Sequence, residues 1–213
     1  MLALSSRVRE ALTGPLPGLA AQLRLAPDPR VGWDPYHVPD GLRDAAALLL
    51  LYPVGEVPHV LLTVRGGGLR HHTGQVSLPG GAVDAGETLE AAALREAEEE
   101  VAVPRQAVDV LGRLTPLHIP VSGFLLHPVV GVAASRPDFE PHSWEVARIL
   151  EVPLARLRDP ATMQRERRSF RRAGEVHDVD VPFFDVAGEK VWGATAMVLS
   201  EFLELSAGVG ATP

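Results

Sequence analysis

The tripeptide Pro79-Gly80-Gly81, followed at once by a helical pattern, is the feature that most limits how this chain can fold. Residues 81–103 read GAVDAGETLEAAALREAEEEVAV. The proline and paired glycines dictate a tight turn. Leu94, Ala97 and Val101 then recur at helical spacing, so the helix packs one face against a core and exposes the other. Glu96, Glu99 and Glu100 stand at i, i+3 and i+4, which brings their Cβ atoms to within roughly 5–6 Å of one another. Like charges at that spacing repel, and a chain that keeps them together has a use for a cation between them. Oxygen-only donors suit a hard divalent ion such as Mg²⁺ or Mn²⁺. Acidic helices are more often plain solvated faces. Glu90 and Glu98 fit that description, Glu98 lying about 200° around the helix from Glu96.

The rest of the chain supplies a sheet for this helix. Residues 45–52 and 57–64 are apolar runs separated by Pro53-Val54-Gly55-Glu56, two strands joined by a turn. Residues 107–116, 124–133 and 144–152 read as further strands, the last leading through Pro153-Leu154 into a short helix. Residues 163–173 and 175–184 flank Gly174 as a hairpin, and Val191-Trp192 is a short strand. Residues 194–205 form a terminal helix with Ala196, Leu199, Phe202 and Leu203 inward. Before all of these, an amphipathic helix is broken at Gly14-Pro15, and the Pro-rich residues 28–41 read as a linker arm. The expectation is α/β: a mixed sheet between helices, an α/β/α sandwich. It comprises an N-terminal helical arm and linker at 1–41 packed on a core domain at 42–213.

With 213 residues the chain is long enough for one full core and short for two. It has no Cys, which removes disulfides and thiol nucleophiles and suits a cytoplasmic location. The net charge of −7 argues against a general nucleic-acid or anionic-membrane binder. The longest apolar run falls far short of the ~20 residues a membrane helix needs. Of the 20 basic residues only Lys190 is a lysine, so cationic chemistry here is arginine chemistry. Guanidinium forks grip phosphate oxygens in pairs and stay charged. Against the acidic average, Arg65, Arg70, His71 and His72 form a local basic cluster; the two histidines read as surface residues.

Gly81, Glu87, Arg95, Glu96, Ala97, Glu99, Glu100 and Val103 resemble the Nudix hydrolase box, G-x5-E-x7-R-E-U-x-E-E-x-G-U, where U is apolar. The chain departs from it at Ala102, where the box has its second glycine, a residue that shapes the loop after the helix. Just upstream, Leu61, Leu62, Thr63, Arg65, Arg70, Gly74, Pro79, Gly80 and Gly81 resemble the signature of the coenzyme A pyrophosphatase branch. Gly66 there replaces Ser or Ala, and Leu78 replaces Phe.

The resemblance implies a Nudix-type sandwich and metal-dependent hydrolysis of coenzyme A, or a derivative, to 4′-phosphopantetheine and adenosine 3′,5′-bisphosphate. It implies Mg²⁺ or Mn²⁺ on Glu96, Glu99 and Glu100, with Glu96 alternatively orienting or deprotonating the attacking water. The carbonyl of Gly80 or Gly81 joins the metal set. Glu87 pairs with Arg95 to brace the helix, and Arg65 and Arg70 bind substrate. A further carboxylate is expected from a later loop: Glu145 is the candidate, with Asp138, Glu140 and Glu151 competing for the place. The segment from Trp192 to Ala196 resembles a W-G-x-T-A element of the same branch, so Trp192 lines the substrate pocket or belongs to the core, and Thr195 does the same or caps the last helix. Broader action on ADP-ribose or dinucleoside polyphosphates, or a non-catalytic nucleotide-binding role, are the rival readings. The partner is a small molecule, and the state a monomer or homodimer.

Overall fold

The computed structural model describes residues 1–66, 74–142, 144–172 and 174–207. Arg70, His71 and His72, singled out in the sequence, lie outside the described residues. The elements run α1 (Leu2–Thr13), α2 (Gly18–Gln22), β1 (Arg43–Val54), β2 (Val57–Arg65), β3 (Val76–Ser77), β4 (Gly80–Ala82), α3 (Leu89–Val101), β5 (Val108–Arg113), β6 (Leu117–Ile119), β7 (Phe124–Ala133), β8 (Val146–Pro153), α4 (Leu154–Arg158), β9 (Met163–Arg172), β10 (Glu175–Val186), β11 (Glu189–Trp192) and α5 (Ala194–Ala207).

β1 sets the architecture. Its eight consecutive buried residues are apolar on both faces, as a strand covered on two sides requires. Ala46, Leu48, Leu50 and Tyr52 point into one core with Ala92, Ala93, Ala97 and Val101 of α3. Ala47, Leu49 and Leu51 point into the other, with Val8 of α1 and Ala196, Leu199 and Phe202 of α5. Sheet and helices thus form the expected α/β/α sandwich. The sheet order is β3-β2-β1-β7-β5, with β4 on β1, β6 on β7 and β8 on β2. β1 and β7 are parallel and the other pairs antiparallel, so the sheet is mixed.

The hairpin expected at Gly174 forms, but outside this sheet: β9, β10 and β11 make a separate three-stranded antiparallel sheet. The two-residue β3 and the glycine-bearing β4 were not foreseen, because neither has a periodic apolar pattern to announce it. The N-terminal arm is held by Arg9 to Asp109 at 2.7 Å, and by Gln22 Nε2, which donates to buried Glu201 at 2.8 Å. Among the described residues no helix is long and apolar enough to cross a membrane.

Candidate active site

Two glycines let α3 meet the sheet. A Cβ on Gly80 would stand 2.6 Å from Ala47 Cα, because β4 lies flat on β1 there. A Cβ on Gly81 would occupy the space of the Glu96 carboxylate. The turn residues of the motif are therefore small because backbone and carboxylate fill the space a side chain would need.

α3 opens with Thr88 as N-cap, its hydroxyl accepting from the Ala91 amide at 3.1 Å. It closes on Ala102 in the left-handed region (φ 57°, ψ 31°), with the Val103 amide reaching back to Ala97 O at 3.3 Å. The loop geometry that the missing glycine put in question is thus kept by an alanine, which carries a steric cost of about 1 kcal/mol there.

Arg95 ties the acidic face together. Its Nε donates to Glu87 Oε1 at 3.1 Å and its Nη2 to Glu87 Oε2 at 3.1 Å. Its Nη1 donates to Glu96 Oε1 at 2.7 Å and to Glu99 Oε2 at 3.3 Å, and its Nη2 also reaches the Ala82 carbonyl at 3.0 Å. The Arg95 hydrogen bonds hold the Glu87 carboxyl below its ordinary range. The Glu87–Arg95 pair that the resemblance implied is present.

Glu100 is the unusual member. Its residue is 6% exposed, and the Gly80 amide donates to its carboxylate. Burial, together with the charges of Glu96 and Glu145, pushes its carboxyl up to about 8, against the pull of Arg65 and the Gly80 amide. Burial likewise raises Glu96, outweighing the Arg95 hydrogen bond, with Glu99 and Glu145 adding to the rise. Glu96, Glu100 and Glu145 therefore share one electrostatic site, with the Arg65 guanidinium beside it. Arg65 Nε is buried with no hydrogen-bond partner among the described residues. Glu99 is more exposed than its neighbours and turned to Arg95. At Gly80 it is the amide, a donor the sequence reading did not use, that meets Glu100.

Glu145 arrives through the backbone. The Gly66 amide donates to the Glu145 carbonyl at 2.8 Å, and the His142 amide donates to the Glu100 carbonyl at 2.8 Å. A Cβ at Gly66 would come within 3.0 Å of the Trp144 carbonyl, so glycine at the signature's Ser/Ala position gives β8 room to start beside β2. Of the competitors, Glu151 is taken up by a two-pronged pair with Arg136, both bonds 2.8 Å, and by the Tyr52 hydroxyl at 3.2 Å. Asp138 and Glu140 are exposed, and neither is among the charges acting on Glu96 or Glu100. Leu78, where the signature has Phe, is a buried core residue.

Trp192 is half-buried in β11 beneath the Arg168 guanidinium, 4.3 Å from the ring centre. Thr195 does not cap α5. It lies inside the helix, and its hydroxyl donates to the Val76 carbonyl at 3.1 Å, tying α5 to β3.

The donors suit a hard divalent cation in chemistry: they are oxygens, one is desolvated, and like charges crowd it. As the side chains stand, no three His, Asp or Glu among the described residues are grouped closely enough to enclose an ion. Arg95, which holds both Glu96 and Glu99, sets that arrangement.

The NUDIX domain family matches residues 41–173. The chain is similar to a protein of Photorhabdus laumondii named uncharacterized Nudix hydrolase NudL, 37% identical over 184 residues, covering 86% of this chain and 92% of that one. It is similar to the protein of the same name from Salmonella paratyphi B, 42% identical over 165 residues, 77% and 83% covered. Among solved structures, the Nudix hydrolase RenU of M. smegmatis superposes with a TM-score of 0.53 at 23% identity, over 80% of this chain and 89% of that one. A MutT/nudix family protein from Enterococcus faecalis gives 0.51 at 15% identity, over 83% and 65%. Identities this low speak for the fold alone.

Proposed function

The chain belongs to the Nudix hydrolase family, and from that footing we propose that it hydrolyses the pyrophosphate of coenzyme A, or a derivative, to 4′-phosphopantetheine and adenosine 3′,5′-bisphosphate. The observation that carries the reading is the buried Glu100 carboxylate, crowded by Glu96 and Glu145, beside an Arg65 whose Nε has no partner among the described residues. Buried polar groups are ordinarily paired, so a desolvated carboxylate crowded by two others, beside an arginine whose buried Nε lacks a partner among the described residues, supports a site built for a cation and a phosphate together. The signature around Arg65 and Arg70 supports coenzyme A among the possible diphosphates.

Glu96, Glu99 and Glu100, with the Gly80 carbonyl, would hold the metal. Bound there, Mg²⁺ or Mn²⁺ supplies charge neutralisation at the phosphoryl oxygens and lowers the pKa of water. Arg65 and Arg70 bind and orient the diphosphate. A water oxygen bonds to one phosphorus as the bridging P–O bond breaks and the departing phosphate takes the electron pair. Glu96 or Glu145 accepts the water's proton. Glu87 holds Arg95, and Arg95 fixes Glu96 and Glu99. Positioning and electrostatics account for most catalysis of this kind. Residues 1–41 serve as an arm packed on the catalytic domain, a reading supported by the contacts of Arg9 and Gln22.

The test is a turnover assay with Mg²⁺ or Mn²⁺ on coenzyme A, dephospho-coenzyme A, ADP-ribose and dinucleoside polyphosphates, with products separated by chromatography. Release of adenosine 3′,5′-bisphosphate, with kcat/KM falling when the 3′-phosphate is removed, is the expected result. Equal turnover of coenzyme A and dephospho-coenzyme A would mean a broader pyrophosphatase, and no turnover of any would mean a binding module.

A further inference from the structure

The three-stranded sheet has an outer face with its own chemistry. Val181 pairs with Glu166, Val179 with Arg168, Phe183 with both Gln164 and Trp192, and Asp185 with Lys190. Side chains alternate along a strand, so Glu166, Arg168, Val179, Val181, Phe183, Asp185, Lys190 and Trp192 share one side. The other side carries Phe184, Val186 and Val191 into the main core. Val179, Val181 and Phe183 are at most 3% exposed and belong to neither main core cluster.

Cations lie over aromatic rings on this face. The Arg168 guanidinium sits over Trp192, and Lys190 Nζ lies 4.9 Å from the Phe183 ring centre. Asp185 stands opposite Lys190 on the same face, and Glu166 pairs with both Arg168 and Lys190, so the two cations are balanced by two carboxylates until Glu166 is displaced. The side chains of Glu166, Arg168 and Lys190 are 23–48% exposed, within reach of a ligand. The face also adjoins the candidate active site. Thr195, three residues after Trp192, is bonded to β3, which leads into Gly80. On the opposite side of β11, Glu189 pairs with Arg148 of β8, which ties the small sheet to the strand that begins next to Glu145.

We infer that this face is the subsite for the phosphorylated adenosine end of the substrate: Arg168 stacked on Trp192 carries the purine as a third layer, and Arg168 and Lys190 take the 3′-phosphate in exchange for Glu166. A guanidinium held flat on an indole presents its other plane for stacking, and bases stack on arginine and aromatic planes without needing an edge code. A phosphate brings more charge and more acceptor oxygens than the carboxylate it displaces. Glu166 thus acts as an internal stand-in for the ligand. The inference rests on the proposed function and adds the residues that would read the nucleotide end.

The experiment is calorimetric titration of the full chain, in buffer without divalent cations, with adenosine 3′,5′-bisphosphate and with AMP. Circular dichroism and thermal melts confirm that each variant is folded. The wild-type protein should favour the bisphosphate by about tenfold, the scale of one charged hydrogen-bonded contact. Arg168→Gln and Lys190→Gln should each cut that preference to about threefold or less. Glu166→Gln, which removes the competitor, should tighten binding of the bisphosphate several-fold, whereas a merely structural Glu166 would weaken or not change it. Equal binding of the two nucleotides by the wild type, an undiminished preference in both cation variants, or weaker or unchanged binding in Glu166→Gln would each overturn the inference. No step here depends on turnover. The expected pattern without coenzyme A hydrolysis would spare the subsite and sink the proposed reaction; hydrolysis without the pattern would do the reverse.

Discussion

Two glutamates of this protein are buried to nearly the same degree and live opposite lives. Glu201, on α5, is fully buried. It accepts from the Gly18 amide at 3.1 Å, Gln22 Nε2 at 2.8 Å, the Thr115 amide at 3.2 Å and the Thr115 hydroxyl at 2.6 Å. Glu100, on α3, has the Gly80 amide, and two other carboxylates act on it. A charge withdrawn from water is tolerable when donors surround it. Glu201 meets that condition within the chain and clasps the N-terminal arm to α5 and to the segment between β5 and β6. Glu100 meets it only in part: one amide and the Arg65 guanidinium stand against two carboxylates, and its carboxyl is pushed up to about 8. Burial alone does not distinguish a clasp from a site; the balance of donors does.

That contrast can be broken by substitution. Glu100→Gln should lower kcat by at least about 10³-fold, a loss on the scale seen when one group stabilising a developing charge is removed, while the melting temperature holds or rises because a crowded charge has gone. A steady-state assay beside a thermal melt checks both halves. Glu201→Ala should do the reverse: about 3 kcal/mol of stability lost in urea unfolding, since four donors are orphaned, with kcat per folded molecule little changed. If Glu201→Ala abolished turnover in molecules shown to be folded, the division between clasp and site would fail.

Glu87→Gln sharpens the comparison from an intermediate position. It loosens Arg95 without touching Glu100, and a fall of about 10- to 100-fold in activity or metal affinity is expected, as for groups that orient metal ligands. The assay should be read as a Mg²⁺ titration. The smallest effect belongs to Ala102→Gly, which relieves a left-handed alanine after α3 and should add about 0.5–1 kcal/mol in denaturant unfolding without altering kcat.

The strand at residues 45–52 was legible because a short apolar run between turn residues has few other uses, and its burial on both faces follows from its parallel partner β7. The acidic face of α3 was legible because helical spacing fixes which residues are neighbours; the Glu87–Arg95 pair, with Glu87 ahead of the helix, was legible only through the resemblance. What stayed hidden depended on distant residues. Nothing local marks Glu201, inside an otherwise apolar helix face, as buried, since its donors lie 86 to 183 positions away in the chain. The inward Leu203 expected on that helix is only partly buried, at the edge of the core. Spacing put Glu99 on the same face as its neighbours but not its side-chain direction, which is set by Arg95 bonding Glu87, Glu96 and Glu99 at once. Glu145 was one of several candidates in sequence; backbone contacts at Gly66 and His142 give it its neighbourhood.

The Gly66 contact has a consequence for variation. A methyl at position 66 would stand 3.0 Å from the Trp144 carbonyl, so the Ser or Ala of the signature asks the entry to β8 to give by a few tenths of an ångström. Relatives that carry Ser or Ala at this position should therefore begin the equivalent strand slightly farther from β2, with the late carboxylate shifted by the same small amount.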